Sequence, residues 1–210
     1  FDCVLDVNGG FSENNTNVQM WSYNSGNAQK FSIKKLYYKN GYEAGYKGGM
    51  AGDGKIYAHG LDLSSWQGTN VDFKAIKNAG YSYVILRAGT TKGRDTSFDI
   101  FYQNAKAAGL NVGAYYYSYA LSVSESKKDA ENMLSWIAGK KFEYPVYFDY
   151  EDPTQQALSA QLSKSICLTF MDRMANAGYL TGVYIGDYFS TQLPMSEICA
   201  RYEFWVANYY

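Results

Sequence analysis

The chain has 210 residues, 47% of them apolar, and its 19 basic and 20 acidic side chains leave a formal charge of −1. That is enough for one sizeable domain with a small appendage, and the near-neutral balance argues against nucleic acid, which selects a basic face. No apolar run of about 18 residues is present, so nothing in the sequence reads as a membrane-spanning helix. The single histidine, His59, reads as a loop residue and excludes a multi-histidine metal site; no metal or organic cofactor is expected. Cys3, Cys167 and Cys199 lack metal-ligand spacing. Cys167 and Cys199 fall in expected helices, either as a pair formed after export or as plain buried thiols. The start at Phe1, with no charged-then-apolar leader, reads as a processed product, an internal piece or an expression product.

Residues 1–36 read as short strands: Val4 to Gly10 runs into a glycine turn, Thr16 to Trp21 alternates, and Asn27 to Ile33 is a third strand. The segment resembles one repeat of a ricin-type β-trefoil lectin, with the Q-x-W element at Gln19 and Trp21. That resemblance implies lectin-like positions at Asp6, Gln19, Trp21 and Gln29. Ala28 stands where such repeats carry a sugar-contacting Asn, so weak sugar binding is expected. A trefoil needs three repeats around a shared core, and this one reads as the last repeat of a longer lectin domain. Residues 37–57, with six glycines, read as a linker or as an aromatic wall against the next domain.

From residue 58 strands and helices alternate. The pattern predicts strands near 58–63, 82–87, 111–117, 145–150, 181–186 and 203–208, with helices near 71–79, 97–108, 122–138, 156–177 and 188–200. Leu158, Leu162, Ile166, Phe170 and Met174 recur every four residues, an apolar stripe suited to packing on a sheet, and Gly178 follows as a stop. Ser122 and Ser124 are alternative caps of the third helix. Such alternation gives a parallel sheet whose functional residues gather at the carboxyl ends of the strands. Asp62, Tyr117, Asp149, Glu151, Tyr184 and Asp187 fall there.

The strand Tyr144 to Tyr150 is apolar until acids arrive at Asp149, Glu151 and Asp152. Side chains two apart on a strand share a face, so Asp149 and Glu151 project together, about 6.5 Å apart at the backbone, and Asp152 points away as an inert neighbour. Carboxylates so spaced serve glycosidic bond cleavage as proton donor and as nucleophile, base or electrostatic support; the alternative is a strand ending in solvated acids.

Upstream, Gly60 to Gly68 reads G-x-D-x-S-x-x-Q-G. With Tyr144 to Asp152, Arg87 to Gly89, Phe101 to Leu110 and Val112 to Tyr117, it resembles the family-25 glycoside hydrolases, lysozymes of bacterial and phage origin. The resemblance runs from about Ala58 to the last residue. It implies an α/β, TIM-like (β/α)5(β)3 barrel, here counted with six strands and without the last two, so that open edges invite self-association. The expected division is a lectin-like repeat over 1–36, a linker over 37–57 and a lysozyme-like domain over 58–210.

The resemblance further implies an N-acetylmuramidase acting on bacterial peptidoglycan, secreted or released at the cell wall. Glu151 is then the general acid, Asp149 steers the substrate's own acetamido oxygen, and Asp62 adds negative charge. Tyr117, Tyr184 and Trp205 are sugar platforms or packing residues, with Asp187 also near the substrate. A non-catalytic wall- or glycan-binding protein is the alternative. A chitin-cutting relative is disfavoured because its D-x-x-D-x-D-x-E run is absent.

Overall fold

A computed structural model describes residues 3–7, 18–22 and 58–207. Strands β1 (Cys3–Val7) and β2 (Val18–Ser22) pair antiparallel, with Asp6 opposite Gln19 and Val4 opposite Trp21. The third expected strand with Gln29, and the 37–57 linker, lie outside the described residues.

The main body is a parallel sheet in the order β3 (Gly60–Leu63), β4 (Tyr83–Thr90), β6 (Asn111–Tyr117), β7 (Val146–Asp149), β8 (Thr181–Ile185) and β9 (Glu203–Val206). The intervening helices are α1 (Phe73–Asn78), α2 (Phe98–Ala107), α3 (Val123–Ile137), α4 (Ala160–Asn176), α5 (Asp187–Gln192) and α6 (Met195–Cys199). Among the described residues β3 and β9 each have one strand neighbour, so the sheet is a curled half-barrel.

Period-two alternation divides the core between two faces. Val84, Leu86, Val112, Ala114, Val146, Phe148, Val183 and Ile185 are fully buried in the cluster shared with the helices. Ile85, Tyr147, Tyr184 and Ala207 form a second, inner cluster, with Tyr83, Tyr115, Tyr144 and Trp205 against it. Full burial of a large apolar side chain contributes about 1.5–3 kcal/mol, so the helix-covered face supplies most of the stability. The α4 stripe is part of it: Ile166, Phe170 and Met174 are fully buried, with Leu158 and Leu162 packed alongside.

Local chemistry sets the ends of the elements. Asp72, Ser122 and Ser159 each accept a hydrogen bond from a first-turn backbone N–H, of Ala75, Glu125 and Leu162 respectively. Ser122, rather than Ser124, is therefore the α3 cap. Gly178 follows α4 at φ +91°, a conformation other residues resist.

Three boundaries differ from the sequence expectation. The fourth helix begins at Ala160, because Asp152, Pro153 and Gln155 organise a separate 3₁₀ turn over Pro153–Ala157. The last helix divides into α5 and α6 around Pro194, whose ring cannot donate to a continuing helix. Strand β4 continues past a register shift between Arg87 and Gly89 to Thr90, then pairs antiparallel with β5 (Gly93–Arg94). Cys167 and Cys199 are separate free thiols, the first of them buried. Among the described residues no helix is long and apolar enough to cross a membrane.

Candidate active site

At the carboxyl end of the sheet, β3 delivers Asp62 and β7 delivers Asp149 as its last residue, with Glu151 two positions on. The backbone N–H of Tyr150 donates to the Tyr184 carbonyl at 2.9 Å, and the Tyr150 hydroxyl donates to Ser163 Oγ at 2.9 Å. This seats the Tyr150 side chain against α4, while Asp149 and Glu151 lie within electrostatic reach of each other and of Asp62. A Cβ added to Gly186 would stand 3.6 Å from Glu151 Oε2, so Glu151 rests close to bare backbone.

Asp149 is 4% exposed, and its Oδ1 has no hydrogen-bond partner among the described residues. Burial, then the charges of Glu151 and Asp62, push its carboxyl well above the ordinary carboxylate range, with Arg87 opposing. Burial also raises Glu151; a hydrogen bond with Tyr184 pulls it back, and Asp152 and Asp62 push it further up. Both carboxyls are therefore biased toward their protonated form, Asp149 the more deeply buried of the two.

Tyr117, across from Asp149 in the β6–β7 register, donates its hydroxyl to Asp152 Oδ2 at 3.3 Å. Burial, followed by the charges of Asp152, Asp149 and Glu151, raises its phenol. Tyr184 is 8% exposed and packs edge-on against Trp205 at 4.6 Å between ring centroids, and Trp205 also meets Tyr147 at 5.4 Å. Both rings are thus part of the inner packing, and Tyr184 is in addition a hydrogen-bond partner of Glu151. Asp187 is the first residue of α5, directly after Gly186. In the N-terminal hairpin only the register of Asp6, Gln19 and Trp21 is described.

Asp152 is not the inert neighbour that alternation predicts. It is 8% exposed, its Oδ1 accepts from the Thr154 backbone N–H at 3.0 Å, and its Oδ2 accepts from Tyr117. Burial opposes its ionisation, but the Thr154 hydroxyl and amide, the Tyr117 hydroxyl and the charge of Lys92 hold its carboxyl below the usual range. The alternation argument fails because the strand ends at Asp149 and a 3₁₀ turn has begun by Asp152.

A second network escaped the sequence reading. Arg87 Nη2 lies 2.7 Å from Asp95 Oδ2, Arg87 Nε donates to the same oxygen at 2.8 Å, and Nη2 donates to Ser65 Oγ at 3.0 Å. Asp95 Oδ2 also accepts from the Ser65 N–H at 3.1 Å, and Oδ1 from the Ser97 N–H at 2.8 Å. The β4–β5 hairpin is thereby fastened to the loop that follows Asp62. The available signal was a lone arginine after the apolar run Val84 to Leu86. Among the described residues no group of three or more His, Cys, Asp or Glu side chains is arranged for a metal ion.

Comparison with known proteins agrees with this geometry. Residues 61–210 match the family model described as glycosyl hydrolases family 25. The chain is 30% identical over 153 residues to the autolytic lysozyme of Clostridium acetobutylicum, an alignment covering 71% of this chain and 44% of that protein. It therefore spans less than half the length of that relative. Among solved structures, the bacterial lysozyme from Streptomyces coelicolor superposes with a TM-score of 0.60 at 25% identity, covering 71% of this chain and 73% of that one. The modular autolysin LytC from Streptococcus pneumoniae shares the fold with a TM-score of 0.62 at 24% identity, over 72% of this chain and 37% of that one. A family match across residues 61–210, on a half-barrel with three acids at its carboxyl end, places this chain in glycosyl hydrolase family 25.

Proposed function

We propose that the domain from residue 58 onward is the catalytic part of a peptidoglycan hydrolase. It would cut the β-1,4 bond between N-acetylmuramic acid and N-acetylglucosamine in bacterial cell wall, acting outside the cell or at the wall. The observation that carries this reading is the Asp149 carboxyl, buried beside Glu151 with Oδ1 lacking a donor. A buried acceptor without a partner is costly unless a ligand completes it. The acetamido N–H of the substrate is a donor of the right kind. Its arrival would favour ionised Asp149, whose negative charge in turn favours a protonated Glu151.

Glu151 then protonates the leaving oxygen as the glycosidic C–O bond breaks, while the acetamido carbonyl oxygen, oriented through the N–H that donates to Asp149, bonds to the anomeric carbon. Water then opens the ring so formed and returns a proton to Glu151. Asp62 adds negative charge that favours the oxocarbenium-like transition state. Tyr117, Tyr184, Trp205 and Asp187 would border the bound sugars. Release of new reducing ends from purified walls, lost in Glu151→Gln, is the test. Wall binding without any release would instead favour a glycan-binding protein.

Residues 1–36 are proposed to be one ricin-type repeat with poor sugar affinity of its own. The pairing of Asp6 with Gln19 supports the repeat, and Ala28 supports the poor affinity. Saturable galactose binding tighter than millimolar by residues 1–57, lost in Asp6→Ala, would refute this. Among the described residues β3 and β9 each lack a second strand neighbour, and such edges offer backbone groups to another strand. Self-association of the 210-residue chain is therefore expected in light scattering, and a stable monomer at all concentrations would exclude it.

A further inference from the structure

The exposed large apolar side chains among the described residues are Trp66, Ile100, Leu121, Val123 and Tyr188. Each lies on a segment leaving the carboxyl end of a strand. Trp66 is in the 3₁₀ turn after β3, and Ile100 in the first turn of α2. Leu121 and Val123 lie in the loop after β6 and at the start of α3, and Tyr188 is the second residue of α5. Single exposed apolar residues are ordinary on a protein surface. Their confinement to one end, where the three acids open, is not what scatter produces.

Trp66 stands out within this rim at 84% exposed, and its turn is fixed from several sides. Gln67 Oε1 accepts from the Ser64 N–H at 2.7 Å, and Ser64 Oγ accepts from the Trp66 N–H at 3.3 Å. Asp95 and Arg87 hold Ser65 from the neighbouring hairpin. A large flat ring is thus presented to solvent on a braced backbone, four residues from Asp62. The fastening limits the conformational freedom that a binding contact would have to restrict.

We propose that Trp66 is a stacking platform for an N-acetylated amino sugar of the glycan strand, outside the two rings that flank the cleaved bond. This rests on the muramidase reading above. The substrate is a polymer, so rings beyond the cleaved bond must cross the rim of the half-barrel. The apolar residues stand on separate strand exits, an arrangement suited to a narrow chain of rings more than to a flat protein or lipid surface. The face of an indole matches the axial C–H groups of a β-linked pyranose, and its edge leaves the sugar hydroxyls in water.

The test is retention of the 210-residue chain on purified insoluble walls, with Glu151→Gln as the common background and chitotetraose as soluble competitor. Trp66→Ala should weaken retention about five- to tenfold, the effect of losing one stacking face. Trp66→Phe should recover most of it. Lys77→Ala, in the last turn of α1 at the opposite end of the sheet, should match the parent. Chitotetraose should displace the parent and have little further effect on Trp66→Ala. Because Trp66 is so exposed, circular dichroism should be unchanged. Retention unaltered in Trp66→Ala, no retention of the parent, or equal displacement of both proteins overturns the proposal. Reducing-end release by the Glu151 protein reads the muramidase assignment separately, since retention needs no bond cleavage.

Discussion

Asp149 combines near-complete burial with an acceptor oxygen that no described residue satisfies. Such a group destabilises the unliganded fold by about 1–3 kcal/mol, which fits a side chain held ready for a substrate donor. Asp149→Asn should cost about 10²–10³-fold in kcat, the scale of one lost electrostatic stabiliser, whereas Glu151→Gln should leave almost no turnover with wall binding intact. Initial rates of reducing-end release check both. Glu151 has to hold its proton, so activity should fall on the alkaline side as pH rises through its raised value. Tyr184→Phe removes a hydrogen bond that favours the carboxylate, so that limb should move to higher pH. Asp62→Asn removes a repelling charge and should move it lower; a pH–rate profile shifted the opposite way in either variant would contradict this electrostatic account. Strand alternation reaches only as far as Asp149, the last residue of β7; Glu151 lies beyond the strand and stands near Asp149 because of the path the chain takes after it. Asp152 was misread because its partners, Tyr117 and Thr154, depend on where the strand stops.

At the scale of elements, the ion pair of Arg87 with Asp95 closes the β4–β5 hairpin, and the bonds of both residues to Ser65 tie it to the loop after β3. The Asp95 side chain is fully buried and that of Arg87 is 15% exposed. Removing one partner strands the other's charge, so Asp95→Ala should cost about 3 kcal/mol in urea unfolding, with Asp95→Asn costing less because its one amide oxygen can still accept from Arg87 and Ser65, although its NH2 then faces the Ser97 N–H. A variant as stable as the parent would show the network to be dispensable. A second constraint is the close approach of β8 to β9: a Cβ on Gly182 would fall 2.4 Å from the Glu203 carbonyl oxygen. Gly182→Ala should therefore separate that strand pair and lower the thermal midpoint. The strand–helix alternation, the helix stripe and the caps were readable from periodicity and side-chain chemistry within a few residues, while the order of the strands in the sheet came from the family resemblance. The β5 hairpin and the Arg87 anchorage were not, because a two-residue strand has no period and hydrogen bonds to Ser65 from residues 22 and 30 positions away have no local sequence signal.

For the whole molecule, charge and fold together set a pH response. Asp149 and Glu151 are raised in the folded state, so their share of stability is complete below ordinary carboxylate values and is lost as pH rises through the raised ones. Asp152, held low, works in the other direction at acidic pH. Asp149→Asn should accordingly raise the thermal midpoint at pH 8 and converge on the parent near pH 4 by calorimetry, the reverse of its effect on turnover. The sheet's order has a further consequence, for biogenesis. Because each parallel strand lies beside the next one in the chain, every β/α unit meets its partner soon after it is synthesised. Pairings that stay close in sequence keep loop-closure costs small and allow the sheet to grow from one side while the ribosome is still translating. By the same ordering β9 is the last strand of the described sheet to be made, so it docks on β8 only after the other five can already have paired.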